Sequence, residues 1–139
     1  MKMKPSLPMP FVGWFIAMLL VIAATDGFAQ RISDHTGKYI GRVDNDRYYD
    51  GSGRFIGRVD RDRVYDGSGR NIGRIERGRI YDGTGRSIGR VDGNRLYDSS
   101  GRNVGRIDGN RVYDGSGRFI ARAEGLTQKQ IVLFFYFYY

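Results

Sequence analysis

The sequence predicts an all-β domain of tandem sixteen-residue β-hairpin repeats, arranged as a closed or nearly closed barrel-like ring with an aromatic C-terminal helix or plug. Three observations carry this reading. The stretch GSGRFIGRVDRDRVYD at 51–66 returns at 67–82, 83–98 and 99–114, and a rougher copy, HTGKYIGRVDNDRYYD, fills 35–50, so five copies run on without an insertion. Each copy alternates two turn signals with two short β-favouring runs, as one hairpin per repeat requires. Half-copies flank the array, Arg31–Asp34 before it and Gly115–Glu124 after it, so the two ends of the chain can pair.

Taken in order, residues 1–30 read as a signal peptide. Lys2 and Lys4 precede an uncharged run of fourteen, Phe11 to Ala24, and Gly27-Phe28-Ala29 offers small residues for cleavage. Fourteen residues at about 1.5 Å each reach roughly 21 Å, short of the ~30 Å hydrocarbon core of a bilayer. The expectation is export, to the periplasm, the outer membrane's surface or the medium, with no membrane span after cleavage. Residues 31–126 form the repeat domain and 127–139 a separate tail.

Composition narrows the partners. The 139 residues hold 23 Lys and Arg against 15 Asp and Glu, a net charge of +8, and no cysteine. Removing residues 1–30 takes away Lys2, Lys4 and Asp26, which leaves 21 against 14, or +7. With no disulfide available, stability comes from packing. The charge is periodic, with cations and acids interleaved in every copy. An anionic envelope glycan or another envelope protein fits such a surface, and export argues against nucleic acid as the partner.

Inside a copy, the Asp/Glu-x-x-Arg step (Asp60-Arg61-Asp62-Arg63, for example) reads as a two-residue hairpin loop. Its central pairs are rich in Gly, Asn and Asp, which tolerate positive φ. The register that follows sets Asp60 opposite Arg63, Val59 opposite Val64 and Arg58 opposite Tyr65. Val59 and Val64 then share the inner face, with an Arg–Tyr stack outside. Strict alternation would put the regularly apolar Ile56 outside as well. A bulge or bend at Gly57, and at its counterparts Gly41, Gly73, Gly89 and Gly105, returns Ile56 to the core. The Asp-Gly-Ser/Thr-Gly step, as at Asp50–Gly53, reads as a turn whose last glycine is left-handed.

Closure by pairing of the end strands removes the exposed edges that invite aggregation, so a closed ring is preferred to a capped solenoid. Hairpins number five by contiguous copies, or six if counted across the Asp-Gly-Ser-Gly turns. In the tail, Thr127 fits an N-cap, with Gln130 three residues on and Leu126 placed to staple Ile131. VLFFYFYY follows at 132–139, apolar or aromatic throughout, and its pattern admits a short helix or an extended plug packed on the ring.

A signal peptide, hairpins reading GRxIGRVDxxRxYD and a terminal aromatic run after Ala-Glu-Gly-Leu together resemble the five-fold β-flower family, secreted β-hairpin repeat proteins of Bacteroidota. The resemblance covers nearly the whole mature chain. It implies hairpin petals about a pseudo-symmetry axis and an export signal, and it brings no activity or functional residues.

Site chemistry is sparse. His35 is the only histidine, and Ser52, Ser68 and Ser116 lie in turns without a base. Carboxylates such as Asp50 and Asp60 recur in similar surroundings, whereas glycoside hydrolysis needs two in different ones. Gly51-x-Gly53 with Gly57 precedes a strand, whereas phosphate loops open a helix. Each Asp-Gly-Ser-Gly step offers one carboxylate followed by Arg, too few ligands for calcium. No catalytic, cofactor-binding or metal residue is assigned, no cofactor is implied, and the chain is expected not to be an enzyme. The candidate ligand-binding residues are five recurring pairs: Arg42 with Tyr49, Arg58 with Tyr65, Arg74 with Tyr81, Arg90 with Tyr97, and Arg106 with Tyr113. Facing outward, they make a multivalent array of cations and aromatic faces for an anionic glycan or lipopolysaccharide. The competing view is that each pair only stabilises its hairpin, in an exported structural and interaction protein of the cell envelope.

Overall fold

The computed structural model describes residues 30–139, so the expected signal peptide lies outside the described residues except for Gln30. Twelve strands follow: β1 (Arg31–Asp34), β2 (Tyr39–Asp44), β3 (Arg47–Asp50), β4 (Phe55–Asp60), β5 (Arg63–Asp66), β6 (Asn71–Glu76), β7 (Arg79–Asp82), β8 (Ser87–Asp92), β9 (Arg95–Asp98), β10 (Asn103–Asp108), β11 (Arg111–Asp114) and β12 (Phe119–Glu124). They close into one antiparallel barrel in sequence order, with β12 paired to β1. The ring therefore has six units. Five are contiguous hairpins, and the sixth is assembled from the two ends.

Within each hairpin the two-residue loop fixes the register read from sequence. Asp60 pairs with Arg63, Val59 with Val64 and Arg58 with Tyr65. The first loop residue takes positive φ throughout, at Asn45 (63°), Arg61 (59°), Arg77 (52°), Gly93 (64°) and Gly109 (63°). The sixth unit keeps this geometry without a covalent loop. Gly125, after β12, has φ 77°. Gln30, before β1, accepts the Val43 amide through its carbonyl, as Asp46 accepts that of Val59. The break in the circle thus falls inside what would be the sixth loop.

Between hairpins the register shifts by one residue. Between Tyr48 and Tyr49, for instance, Tyr48 faces Gly57 of β4 and Tyr49 faces Phe55. Ile56 is the extra residue of this bulge. It packs with its counterparts Ile40, Ile72, Ile88 and Ile120 against the core, while Phe55 meets Tyr49 edge-on outside at 5.8 Å. The bulge resolves the alternation conflict, and the extra residue is the isoleucine rather than the glycine.

The longer turns are built on one carboxylate each. Asp50 Oδ1 accepts from the Ser52 amide (2.9 Å), the Ser52 hydroxyl (2.7 Å) and the Arg54 amide (2.9 Å), and Gly53 sits at φ 88°. The same three bonds recur at Asp34, Asp66, Asp82, Asp98 and Asp114. The tail turns back into the ring as helix α1 (Gln128–Leu133), which opens with the expected capping box between Thr127 and Gln130. The chain continues as a π-helical turn over Phe134–Tyr138. Ile131, Val132, Leu133 and Phe134 are fully buried among the inward aliphatics Val43, Val64, Ile80 and Val112.

Hydrogen bonds that favour the carboxylate hold all six turn aspartates below the ordinary 3.8. The hydroxyl bond is the leading cause in five, and the Arg118 amide leads for Asp114. A depressed folded-state value stabilises the fold above the unfolded value, and that stabilisation goes as pH falls through the lower folded one. The thermal midpoint followed by circular dichroism is therefore expected to hold from neutrality to about pH 5 and to fall steadily below about pH 4. A midpoint unchanged down to pH 2 contradicts the role given to these turns.

Candidate functional site

Hairpin register places the ten predicted residues on the outer wall as five stacks. The guanidinium carbon lies over the tyrosine ring at 4.1 Å for Arg42 on Tyr49, 4.3 Å for Arg58 on Tyr65 and 4.0 Å for Arg74 on Tyr81. For Arg90 on Tyr97 the distance is 4.1 Å, and for Arg106 on Tyr113 it is 4.2 Å. The sixth unit lacks the stack because Ser33 stands opposite Arg122. Four of the stacked arginines also reach the acid two residues on: Arg42 to Asp44, Arg74 to Glu76, Arg90 to Asp92 and Arg106 to Asp108. These arginines are half-buried and held.

A second feature of the wall escapes sequence reading. The bulged register between hairpins sets arginine opposite arginine at all six junctions. Arg31 faces Arg42, Arg47 faces Arg58, Arg63 faces Arg74, Arg79 faces Arg90, Arg95 faces Arg106 and Arg111 faces Arg122. Like charges directly opposite in a sheet are destabilising. Arg47 and Arg111, which open β3 and β11, stand over Phe55 and Phe119 at 5.5 and 5.8 Å. Arg63, Arg79 and Arg95, which open β5, β7 and β9, make no ion pair among the described residues. The sequence signal for this belt is faint. The Arg that opens a short strand and the Arg of the next Arg-Val/Ile-Asp share a face only once the bulge is placed.

The interior is organised by the tail. Three loops hold the start of α1 by accepting its side chains: Gly93 O from Gln128 Nε2 (2.6 Å), Arg61 O from Lys129 Nζ (2.8 Å) and Asn45 O from Gln130 Nε2 (3.0 Å). Deeper in, the recurring glycines form seats for the aromatic rings. A Cβ on Gly41 would stand 2.7 Å from Phe134 Cε1, on Gly57 2.5 Å from Tyr138 Cε1, and on Gly89 2.8 Å from Tyr136 Cε1. Gly73 likewise lies between the Phe137 ring and the Tyr81 carbonyl, so Tyr81 serves the outer stack with its ring and the inner seat with its backbone. Two hydroxyls anchor the rings, Tyr136 donating to Tyr97 O (2.6 Å) and Tyr138 to Tyr65 O (2.7 Å). Burial pushes the Tyr136 hydroxyl up to about 12 and raises those of Tyr48 and Tyr138 further.

Winding explains how the rings reach their seats. Seats repeat one-sixth of a turn apart, and an α-helix advances about 100° per residue. The wider i→i+5 winding of a π-helix advances less per residue and fans successive rings more closely. Tyr138, Phe137 and Tyr136 accordingly take three neighbouring units in succession, at Gly57, Gly73 and Gly89.

Among the described residues, no three His, Cys, Asp or Glu side chains gather closely enough to hold a metal, and no helix is long and apolar enough to cross a membrane. One family model, described as 5-fold beta-flower protein, matches residues 29–139. The chain belongs to the β-flower family. Comparison with curated proteins and with solved structures returns no match. This β-flower draws its petals from five contiguous hairpins and a sixth unit closed by its ends.

The seats make a contrast between glycines testable. Gly57→Ala drives a methyl into Tyr138 and the Tyr65 carbonyl, and overpacking of this kind is expected to cost about 3 kcal/mol. Gly53→Ala meets nothing within 4 Å and bears only the strain of its φ of 88°, about 1–2 kcal/mol. Urea unfolding of both variants measures the order, and a Gly57→Ala variant as stable as the parent contradicts the seating of the plug.

Proposed function

We propose that this β-flower is a non-enzymatic, exported interaction protein of the cell envelope whose outer wall takes repeated anionic groups, as an anionic glycan or lipopolysaccharide presents them. The observation that carries this reading is the belt of six cross-strand arginine pairs. A sulfate, phosphate or carboxylate between two opposed guanidiniums replaces their repulsion with charge-assisted hydrogen bonds. Repetition around the ring lets individually weak contacts add, provided the polymer spans neighbouring junctions. The stacked tyrosines, Tyr81 in the middle of the row among them, hold one arginine in five of the six pairs and offer a flat edge to a sugar ring.

The absence of catalysis in this reading follows from symmetry. The turn carboxylates and hydroxyls recur from unit to unit in like surroundings, and no unit sets one of them apart for proton transfer. A purely structural role is the second reading. It is favoured by the ion pairs that already engage Arg42, Arg74, Arg90 and Arg106.

Retention of the purified protein on a panel of anionic and neutral glycans and on lipopolysaccharide, at rising salt, separates the two. The triple variant Arg63→Gln, Arg79→Gln, Arg95→Gln removes three junction charges and relieves three repulsions. It is expected to bind anionic polymer about tenfold more weakly at low salt. Its thermal midpoint is expected to be unchanged or raised. Equal retention of parent and variant, or none by the parent at low salt, leaves the structural reading in place.

A further inference from the structure

Six interior positions are equivalent by the repeat: Gly41, Gly57, Gly73, Gly89, Gly105 and Ala121. The tail fills four of them with Phe134, Tyr138, Phe137 and Tyr136, and at the sixth the alanine methyl occupies the space itself. The fifth is different. Gly105 keeps its glycine, yet the nearest atoms to a Cβ there are Tyr113 O at 3.0 Å and the tip of Leu96 at 3.4 Å, with no tail ring among them. Phe135 is the tail residue next in line for this seat. Its ring instead packs on Phe134 and Tyr139, at centroid distances of 5.1 and 4.8 Å.

What remains is a cavity of about 230 Å³, walled by Leu96, Val104, Val112, Ile120, Phe135 and Tyr139 over Gly105 and Tyr113. It is partly open, because Val104 is 38% and Tyr139 69% exposed. No charged side chain lines it. An aliphatic-lined cavity of about 150 Å³ is large enough for benzene.

We propose that the fifth seat binds one small neutral phenol, with its ring over Gly105 and its hydroxyl donating to Tyr113 O. The four filled seats supply the argument for this occupant. Each takes a phenyl or phenol ring on the bare glycine backbone, and both tyrosines donate to the carbonyl of the repeat tyrosine, Tyr97 O and Tyr65 O. Tyr113 O is the same carbonyl in the fifth unit, since Tyr113 faces Arg106 as Tyr97 faces Arg90. The apolar lining excludes a charged ligand, whose desolvation nothing there would offset. This site is on the inner side of the ring and is independent of the arginine belt.

The test uses the purified full chain and p-cresol, with toluene, 4-methylbenzoate and N-acetyltyrosinamide as comparison ligands, followed by amide chemical shifts and by calorimetry. The expected result is one p-cresol per chain, with shifts centred on Gly105, Tyr113 and Phe135. Toluene, lacking the donor, binds about tenfold more weakly, the worth of one neutral hydrogen bond, and 4-methylbenzoate does not bind. Gly105→Ala puts a methyl into the seat and weakens p-cresol at least about tenfold. If that variant does not fold, the shift map of the unaltered protein still decides. No binding up to the solubility limit, shifts confined to the outer wall, or toluene equal to p-cresol each overturn the proposal. N-acetyltyrosinamide binding more tightly than p-cresol overturns the choice of a free phenol in favour of a peptide tyrosine.

Discussion

Aromatic rings seated on bare glycine backbone are the contact on which the rest of this structure depends. A twelve-stranded ring of four- and six-residue strands encloses more space than its own inward side chains fill. Where the tail is aliphatic, at Ile131 to Leu133, the wall answers with valine and isoleucine. Where the tail is aromatic, the wall presents glycine at four seats, with Tyr48 packed beside them on Tyr138. Large against small at each level is what gives close packing without strain. The plug is therefore as much a part of the core as the strands, although it is covalently attached only beyond β12.

Closure follows from the same fit. The ring is joined through β1 and β12, which no loop connects, and they are matched from Arg31 opposite Glu124 to Asp34 opposite Ala121. Pairing the two ends satisfies the edge groups that would otherwise template aggregation. The tail adds a second tie, because α1 leaves beside this seam and reaches the loops of three other units. Opening the seam would uncover both an edge and the apolar plug, so the two ties reinforce one another.

Much of this is legible in the sequence, and for local reasons. A two-residue loop leaves one register, so the facing of Asp60 with Arg63 and Val59 with Val64 follows from spacing alone. The capping box at Thr127 is likewise a short-range signal. Gly57 announces an irregularity, but its deeper purpose is hidden, because Tyr138 is eighty-one positions away in the chain and nothing local links them. The π winding is equally hidden, since it is set by the spacing of the seats rather than by the tail's own residues. On the outer wall the Arg–Tyr pairs, such as Arg74 with Tyr81, are visible within one hairpin. The Arg–Arg pairs are not, because they arise only after the bulge at Ile56 shifts the register between hairpins.

The wall and the interior thus divide the molecule's physics. Outside, repeated charges are placed where they repel and where an anion can bridge them. Inside, a tail whose buried residues are all apolar or aromatic locks six units, one seam of which no loop joins. The most direct measurement of that account is the unfolding of a chain ending at Leu126, without residues 127–139. Loss of the cooperative transition and rapid exchange of the β1 and β12 amides are expected, with strand content falling as the seam opens. A truncated ring that melts cooperatively at the parent's temperature, with β1 and β12 still protected, would contradict it.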